Sequence, residues 1–148
     1  MNGCCALMAF GVGFLGAQLW KCLAGLVLER HRLKEVNFRT IIGYFSRSGG
    51  MPSGHAASMT ALTVYLGNWC GFDSAVFVLA VCMTAITIYD AIHVRYAVGE
   101  QGKALNEILH REGKKELNLV EGHTVPQVIV GMILGIVIGW GMYLMTAG

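Results

Sequence analysis

Long apolar stretches separated by two charged segments make up the pattern of this 148-residue chain. Four stretches, at residues 3–28, 52–72, 74–92 and 124–146, carry few strongly polar side chains. A helix needs about 20 apolar residues to span a bilayer. The pattern therefore predicts an all-α fold, a polytopic membrane helix bundle with about four transmembrane helices in a single domain over residues 1–148.

Composition agrees with a membrane location. Hydrophobic residues make up 55% of the chain and charged residues only 14%, whereas about 25% charged residues is usual in a soluble domain. The net charge of +2 is too small to indicate a nucleic-acid partner. We expect membrane lipids around the helices and anionic head groups beside the basic loops.

The positive charges predict an orientation. Ten of the eleven Lys and Arg residues fall within Glu29–Arg47 and Arg95–Glu121. With four spans, both segments face one side, which the positive-inside rule makes cytoplasmic, so that both termini lie outside. Within these segments, residues 37–45 have the pattern of an interfacial stretch, and residues 98–109 that of a short surface helix.

The last apolar stretch has a glycine at every fourth position, at Gly131, Gly135 and Gly139. This spacing lets two membrane helices pack closely. The neighbouring helix belongs either to the same chain or to a second copy. The stripe is therefore also a candidate homo-oligomer contact.

The run Gly49–His55 stands where the first charged segment meets the second apolar stretch. Pro52 suits the first turn of a helix, and Ser53 can cap it. The free N–H groups of such a helix start, here from Ser53 and Gly54, favour an anion such as phosphate. His55 at that position can give or take a proton near neutral pH.

A second histidine, His123, precedes the last apolar stretch, where Thr124 and Gln127 fit a capping box. The same four-residue spacing that relates the glycines places His123 and Gln127 on one face. Two histidines at helix starts on one side are typical of phosphate chemistry. One can attack phosphorus, and the other can protonate the departing oxygen.

Ionisable side chains in or near membrane helices are candidates for function because burying them is costly. Lys21 lies about 10 Å inside the first span, where the alternative is a lysine that reaches to the surface. Asp90 lies near the end of the third span and either serves the site or pairs with Arg95. The histidine scheme needs no metal, although Asp90, Glu116 and Glu121 could hold Mg²⁺.

Pro52–His55, the upstream lysine, Tyr89–Ala91 and Gly122–Thr124 together resemble the divergent phosphatidic acid phosphatase type 2 family. This family is related to the lipid phosphatases and the vanadium-dependent haloperoxidases. The resemblance implies that His123 is the nucleophile, His55 the acid and Lys21 a phosphate ligand.

Departures from the typical pattern accompany the resemblance. Leu117 stands where an arginine is expected six residues before His123, and Gln127 stands where a carboxylate is expected. Arg47 or Arg95 is the candidate replacement for the arginine, and Asp90 or Glu121 for the carboxylate.

The resemblance implies a phosphatase of the bacterial plasma membrane that hydrolyses phosphatidate, phosphatidylglycerophosphate or a polyprenyl phosphate at the cytoplasmic leaflet. The candidate catalytic residues are His123, His55 and Asp90. The candidate phosphate ligands are Lys21, Ser53, Gly54, Arg47 and Arg95. The alternatives are a non-catalytic protein that binds or moves lipid phosphates and a structural membrane subunit.

Overall fold

The computed structural model describes residues 3–28, 50–115, 117 and 122–147. The predicted interfacial stretch at 37–45 lies outside the described residues. The described chain is entirely helical apart from short connections, which confirms the all-α prediction. Its elements are α1 (Gly3–Leu28), α2 (Gly54–Cys70), α3 (Ala75–Tyr89), a π-helical turn (Asp90–Val94), α4 (Arg95–Arg111) and α5 (Val125–Ala147).

Three of the described helices are long and apolar enough to cross a membrane, at Gly3–Val27, Ala75–Arg111 and Val125–Ala147. Of the about four transmembrane helices predicted, three thus reach this length among the described residues. The remaining helix, α2, has 17 residues, which at 1.5 Å per residue gives about 26 Å. It lies at the centre and packs against α1, α3 and α5.

The third span and the predicted surface helix are continuous, because the π-helical turn joins α3 to α4 without a break. The predicted helix over residues 98–109 is present within Arg95–Arg111, but it is joined to the preceding helix and not separate from it. No Pro or Gly lies between Ala75 and Val98 to end the helix. The amphipathic helix α4 is therefore a direct continuation of the apolar helix α3.

The glycine stripe of α5 is packed against α2 of the same chain. A Cβ at Gly131 would lie 2.6 Å from the Ser53 carbonyl oxygen, and one at Gly135 would lie 2.5 Å from that of Ala57. All three stripe glycines are buried. Close backbone contact of this kind explains why the positions are glycine. The close neighbour of the stripe therefore belongs to the same chain, and a homo-oligomer stays a prediction.

A polar contact also joins α2 to α3 at mid-length. The hydroxyls of Thr63 and Thr84 lie 2.8 Å apart, and Thr63 also donates to the main-chain oxygen of Met59 or Ala80. In an apolar setting such hydroxyl contacts help to hold helices together. Ser74 is the last residue of the four-residue turn between α2 and α3 and caps α3, its hydroxyl accepting the Phe77 N–H at 3.2 Å.

Candidate functional site

Four helix ends meet at one end of the bundle and carry the residues singled out from the sequence. The helix α1 runs antiparallel to α2, since Gly13 packs on Ala57 and Ser58 while Phe14 contacts Gly54. The helix α5 runs parallel to α2, as the register of its glycine stripe requires. The carboxyl ends of α1 and α3 therefore lie beside the amino ends of α2 and α5.

His55 lies in the first turn of α2, directly after a capped start. The Ser53 hydroxyl accepts the N–H of Ala56 at 3.4 Å, and the Ser53 carbonyl accepts that of Ala57 at 3.0 Å. Within the described chain, no acceptor meets the N–H groups of Gly54 and His55. His55 is exposed at this helix start, whereas Gly54 is buried, and a helix start of this kind favours an anion.

Ser53 has a structural role at this corner. Its side chain is fully buried, its hydroxyl caps α2, and its N–H donates to the carbonyl of Gln127 at 3.0 Å. Pro52 precedes the cap and does not lie in the first helical turn as predicted, because the helix begins at Gly54. Ser53 thus uses its hydroxyl and its N–H for contacts within the protein.

His123 is buried just before α5 and is held by Gln127. The ring Nδ1 lies 3.3 Å from the Gln127 Oε1, which also accepts the Thr124 N–H at 3.1 Å. The latter contact is one half of the predicted capping box. The pKa of His123 lies below its ordinary value, chiefly because the ring is buried. The positive charges of Lys21, His55 and Arg95 lower this pKa further, and the hydrogen bond with Gln127 opposes the shift.

The loop before α5 is fixed against the π-helical turn. The N–H of His123 donates to the carbonyl of Ala91 at 3.3 Å. The Arg95 N–H bonds to Asp90 in this turn, whereas a regular α-helix would pair it with Ala91. Gly122 packs directly on the backbone of Arg95 and Tyr96, leaving no room for a side chain.

The charged residues lie around the two histidines. Lys21, Asp90 and Arg95 are close enough to His55 to act on its ring electrostatically, and Lys21, His55 and Arg95 act in the same way on His123. Arg95 Nε donates to Asp90 Oδ2 at 2.6 Å, and both side chains are partly exposed. The predicted alternative of an ion pair between them is therefore present in the structure.

The structure thus brings together seven of the eight predicted site residues, namely Lys21, Ser53, Gly54, His55, Asp90, Arg95 and His123. Arg47 lies outside the described residues, as do Glu116 and Glu121. Among the residues that the structure describes, no group of three or more His, Cys, Asp or Glu side chains could hold a metal ion. The proposed Mg²⁺ ligands therefore stay a prediction.

Two features of the site were missed from the sequence. The π-helical turn has no signature in the hydrophobic pattern, although Asp90 beside Tyr89 and Ala91 was noted. Gln127 was placed on one face with His123, at the position of an expected carboxylate, but a hydrogen bond between its amide oxygen and the His123 ring was not predicted. A four-residue separation on one helix face was the available signal for that contact.

The family model described as the divergent PAP2 family matches residues 4–138. The chain is also 31% identical over 108 residues to the uncharacterized membrane protein YuiD of Bacillus subtilis (strain 168), covering 62% of this chain and 68% of that protein. No solved structure matches the chain significantly.

Proposed function

We propose that this chain, which belongs to the divergent PAP2 family, is a membrane phosphatase that acts on a lipid phosphate. The observation that supports this best is the meeting of His55 and His123 at one bundle end with Lys21 and Arg95 around them. Each histidine stands at the start of a different helix. Two distant parts of the sequence therefore each supply one imidazole to the site.

The phosphate would bind where positive charge and free N–H groups converge. The N–H groups of Gly54 and His55 point out of the α2 start, and the Lys21 ammonium supplies positive charge. Arg95 uses Nε for Asp90, which leaves its two terminal nitrogens to donate to a phosphate oxygen. Asp90 would then orient Arg95 rather than touch the anion.

The reaction has two steps. His123 Nε2 attacks phosphorus, an N–P bond forms, and the P–O bond to the lipid breaks while a protonated His55 gives its proton to the departing lipid oxygen. Water then attacks the phosphohistidine, His55 takes the water proton, and inorganic phosphate leaves. Lys21 and Arg95 stabilise the charge on the phosphoryl oxygens in both steps.

The apolar surface and the basic segments of the chain favour a lipid as the substrate. Exposed apolar side chains such as Leu19, Leu79 and Val137 face outward along the helices, as a lipid environment requires. A lipid phosphate can enter the site from this surface with its tail still in the bilayer. We place the site on the cytoplasmic side of a bacterial plasma membrane because the basic segments adjoin it.

The test is a phosphate-release assay with purified protein and phosphatidate, phosphatidylglycerophosphate and polyprenyl mono- and diphosphates. We expect release from at least one lipid, with His123→Asn and His55→Asn each lowering the rate by at least about 100-fold. The matched control is His110→Asn, at an exposed residue of α4. Equal activity in all variants would overturn the histidine mechanism. Parallel assays with Mg²⁺ and with EDTA test for a metal requirement.

A specific observation favours a second function, the binding or translocation of lipid phosphates without cleavage. The partner of His123 is the neutral Gln127 amide, which cannot stabilise an imidazolium by charge. This function predicts salt-sensitive binding of phosphate lipids to vesicle-reconstituted protein with no phosphate release. Isolation of an acid-labile phosphohistidine at residue 123 would exclude it.

A further inference from the structure

Gln127 makes two kinds of contact that join the two histidine-bearing helix starts. Its side-chain Oε1 meets the His123 ring and the Thr124 N–H. Its main-chain carbonyl accepts the N–H of Ser53, the cap residue of α2. One residue thus touches both the ring of one histidine and the backbone that presents the other.

The hydrogen-bond pattern fixes which nitrogen of His123 carries the proton. The Thr124 N–H is only a donor, so the Gln127 atom that it meets must be the oxygen and not the amide nitrogen. That oxygen also faces Nδ1 of His123 and can only accept. Nδ1 must therefore be the protonated nitrogen, and in the neutral ring Nε2 keeps its lone pair.

We propose that Gln127 is a positioning residue that holds His123 as the Nδ1–H tautomer, with Nε2 directed to the phosphate. The role of Nε2 as nucleophile rests on the proposed function, whereas the tautomer does not. Through its carbonyl, Gln127 also holds the α2 start beside His123. It therefore sets both the protonation pattern of one histidine and the place of the other.

The amide suits the charges that face His123. These are Lys21 on α1, His55 on α2 and Arg95 after the π-helical turn. A carboxylate at position 127 would stabilise the imidazolium and compete for these cations, which the phosphate needs. A neutral acceptor orients the ring equally well and leaves it unprotonated, which a nitrogen nucleophile requires.

Nitrogen-15 NMR of histidine-labelled protein in detergent micelles tests the tautomer directly. The His123 signals are assigned by their loss in His123→Asn. At pH 8 we expect a protonated Nδ1 and an unprotonated Nε2 in the wild type. Gln127→Met, which keeps the side-chain length and removes the acceptor, should move the proton toward Nε2. A wild-type ring protonated at Nε2, or no change in this variant, would overturn the proposal.

Two further variants complete the experiment. Gln127→Glu keeps the acceptor, so it should retain Nδ1–H and raise the His123 pKa by about 1 to 3 pH units, because an opposite charge then adjoins the ring. An unchanged pKa would contradict the contact, even if Gln127→Met fails to fold. Gln101→Met makes the same replacement at an exposed position of α4 and should leave the His123 signals unchanged.

The kinetic arm separates this proposal from the proposed function. If the wild type releases phosphate, Gln127→Met should lower kcat on the order of 100-fold with little change in KM, since the phosphate ligands remain. A change in KM alone would contradict a positioning role. If no lipid in the panel is hydrolysed, the phosphatase proposal fails, while the NMR result still decides the tautomer.

Discussion

The N–H of His123 donates to the carbonyl of Ala91 across a distance of 3.3 Å. This hydrogen bond joins the loop before the last helix to the end of the membrane-crossing helix α3. It can form there because the π-helical turn pairs the Arg95 N–H with Asp90 instead of Ala91. A π-helical turn is rare and often lies at a functional site. Here it provides the acceptor that places one histidine of the candidate site.

Gly122→Ala should displace the His123 loop. The new Cβ would overlap the backbone of Arg95 and Tyr96, and backbone atoms cannot move aside as a flexible side chain can. We expect a loss of about 1 to 3 kcal/mol in the free energy of unfolding and a loss of phosphate release. Gly141→Ala is the control, since no atom of the residues that the structure describes lies within 4 Å of its added Cβ. Equal stability of the two variants, measured by denaturant titration in detergent, would contradict the contact.

Gly135→Ala should separate α5 from α2. Its Cβ would lie 2.5 Å from the Ala57 carbonyl oxygen and 2.8 Å from Thr60 Cβ, so both helices must move apart. We expect a lower unfolding temperature, with a cost of about 1 to 3 kcal/mol. If the stripe instead served only a second copy, the variant would change the oligomeric state seen by light scattering and leave monomer stability unaffected.

Ser53→Ala should remove a helix cap without removing a phosphate ligand. Loss of an N-cap side chain costs about 1 kcal/mol, and the main-chain bond to Gln127 remains. Ser74→Ala removes the equivalent cap from α3 at the opposite end of α2 and is the matched control. Both variants should lose similar stability and keep phosphate-lipid affinity. A selective loss of affinity in Ser53→Ala would show that its hydroxyl contacts the ligand.

Thr63 and Thr84 should show a measurable coupling. A double-mutant cycle with Thr63→Val and Thr84→Val is expected to give about 0.6 kcal/mol, which is usual for hydroxyl contacts between membrane helices. Among the described residues, the Thr87 hydroxyl bonds to the Met83 carbonyl in its own helix and to no other group. The control cycle of Thr63→Val with Thr87→Val should therefore give a coupling close to zero. Equal couplings in the two cycles would contradict the direct contact.

Stability should fall in mild acid through His123. Burial lowers the pKa of this ring below the ordinary value of about 6.5. The unfolded chain therefore binds the proton first as the pH falls. The contribution of the neutral ring is fully present above pH about 6.5 and is lost as the pH falls through the folded-state pKa.

Thermal unfolding in detergent between pH 8 and pH 5 measures this contribution. The wild type should lose more stability over this range than His123→Asn, which has no titrating ring at this position. The difference between the two proteins isolates His123 from the other histidines. Parallel pH profiles would contradict the buried neutral state. If the chain is a phosphatase, its kcat/KM should also fall on the acid side, since a protonated His123 cannot attack.

Local sequence chemistry was sufficient for the elements and for much of the site. Apolar runs predict membrane helices because a bilayer leaves a backbone few other ways to satisfy its hydrogen bonds. Ser53 and the pair Thr124 and Gln127 predict helix starts, since capping depends on residues a few positions apart. These helix starts carry His55 and His123, so the two histidines were found without knowledge of their distance.

Only the tertiary structure decided how these pieces relate. The glycine spacing predicts a close neighbour but not its identity, and packing against the central α2 supplies it. The π-helical turn depends on which carbonyl accepts the Arg95 N–H, and the pattern of apolar residues does not predict this. The sequence by itself determined which groups have the chemistry for a phosphate. Their meeting at one bundle end depends on contacts between residues far apart in the chain, such as His123 with Ala91 and Ser53 with Gln127.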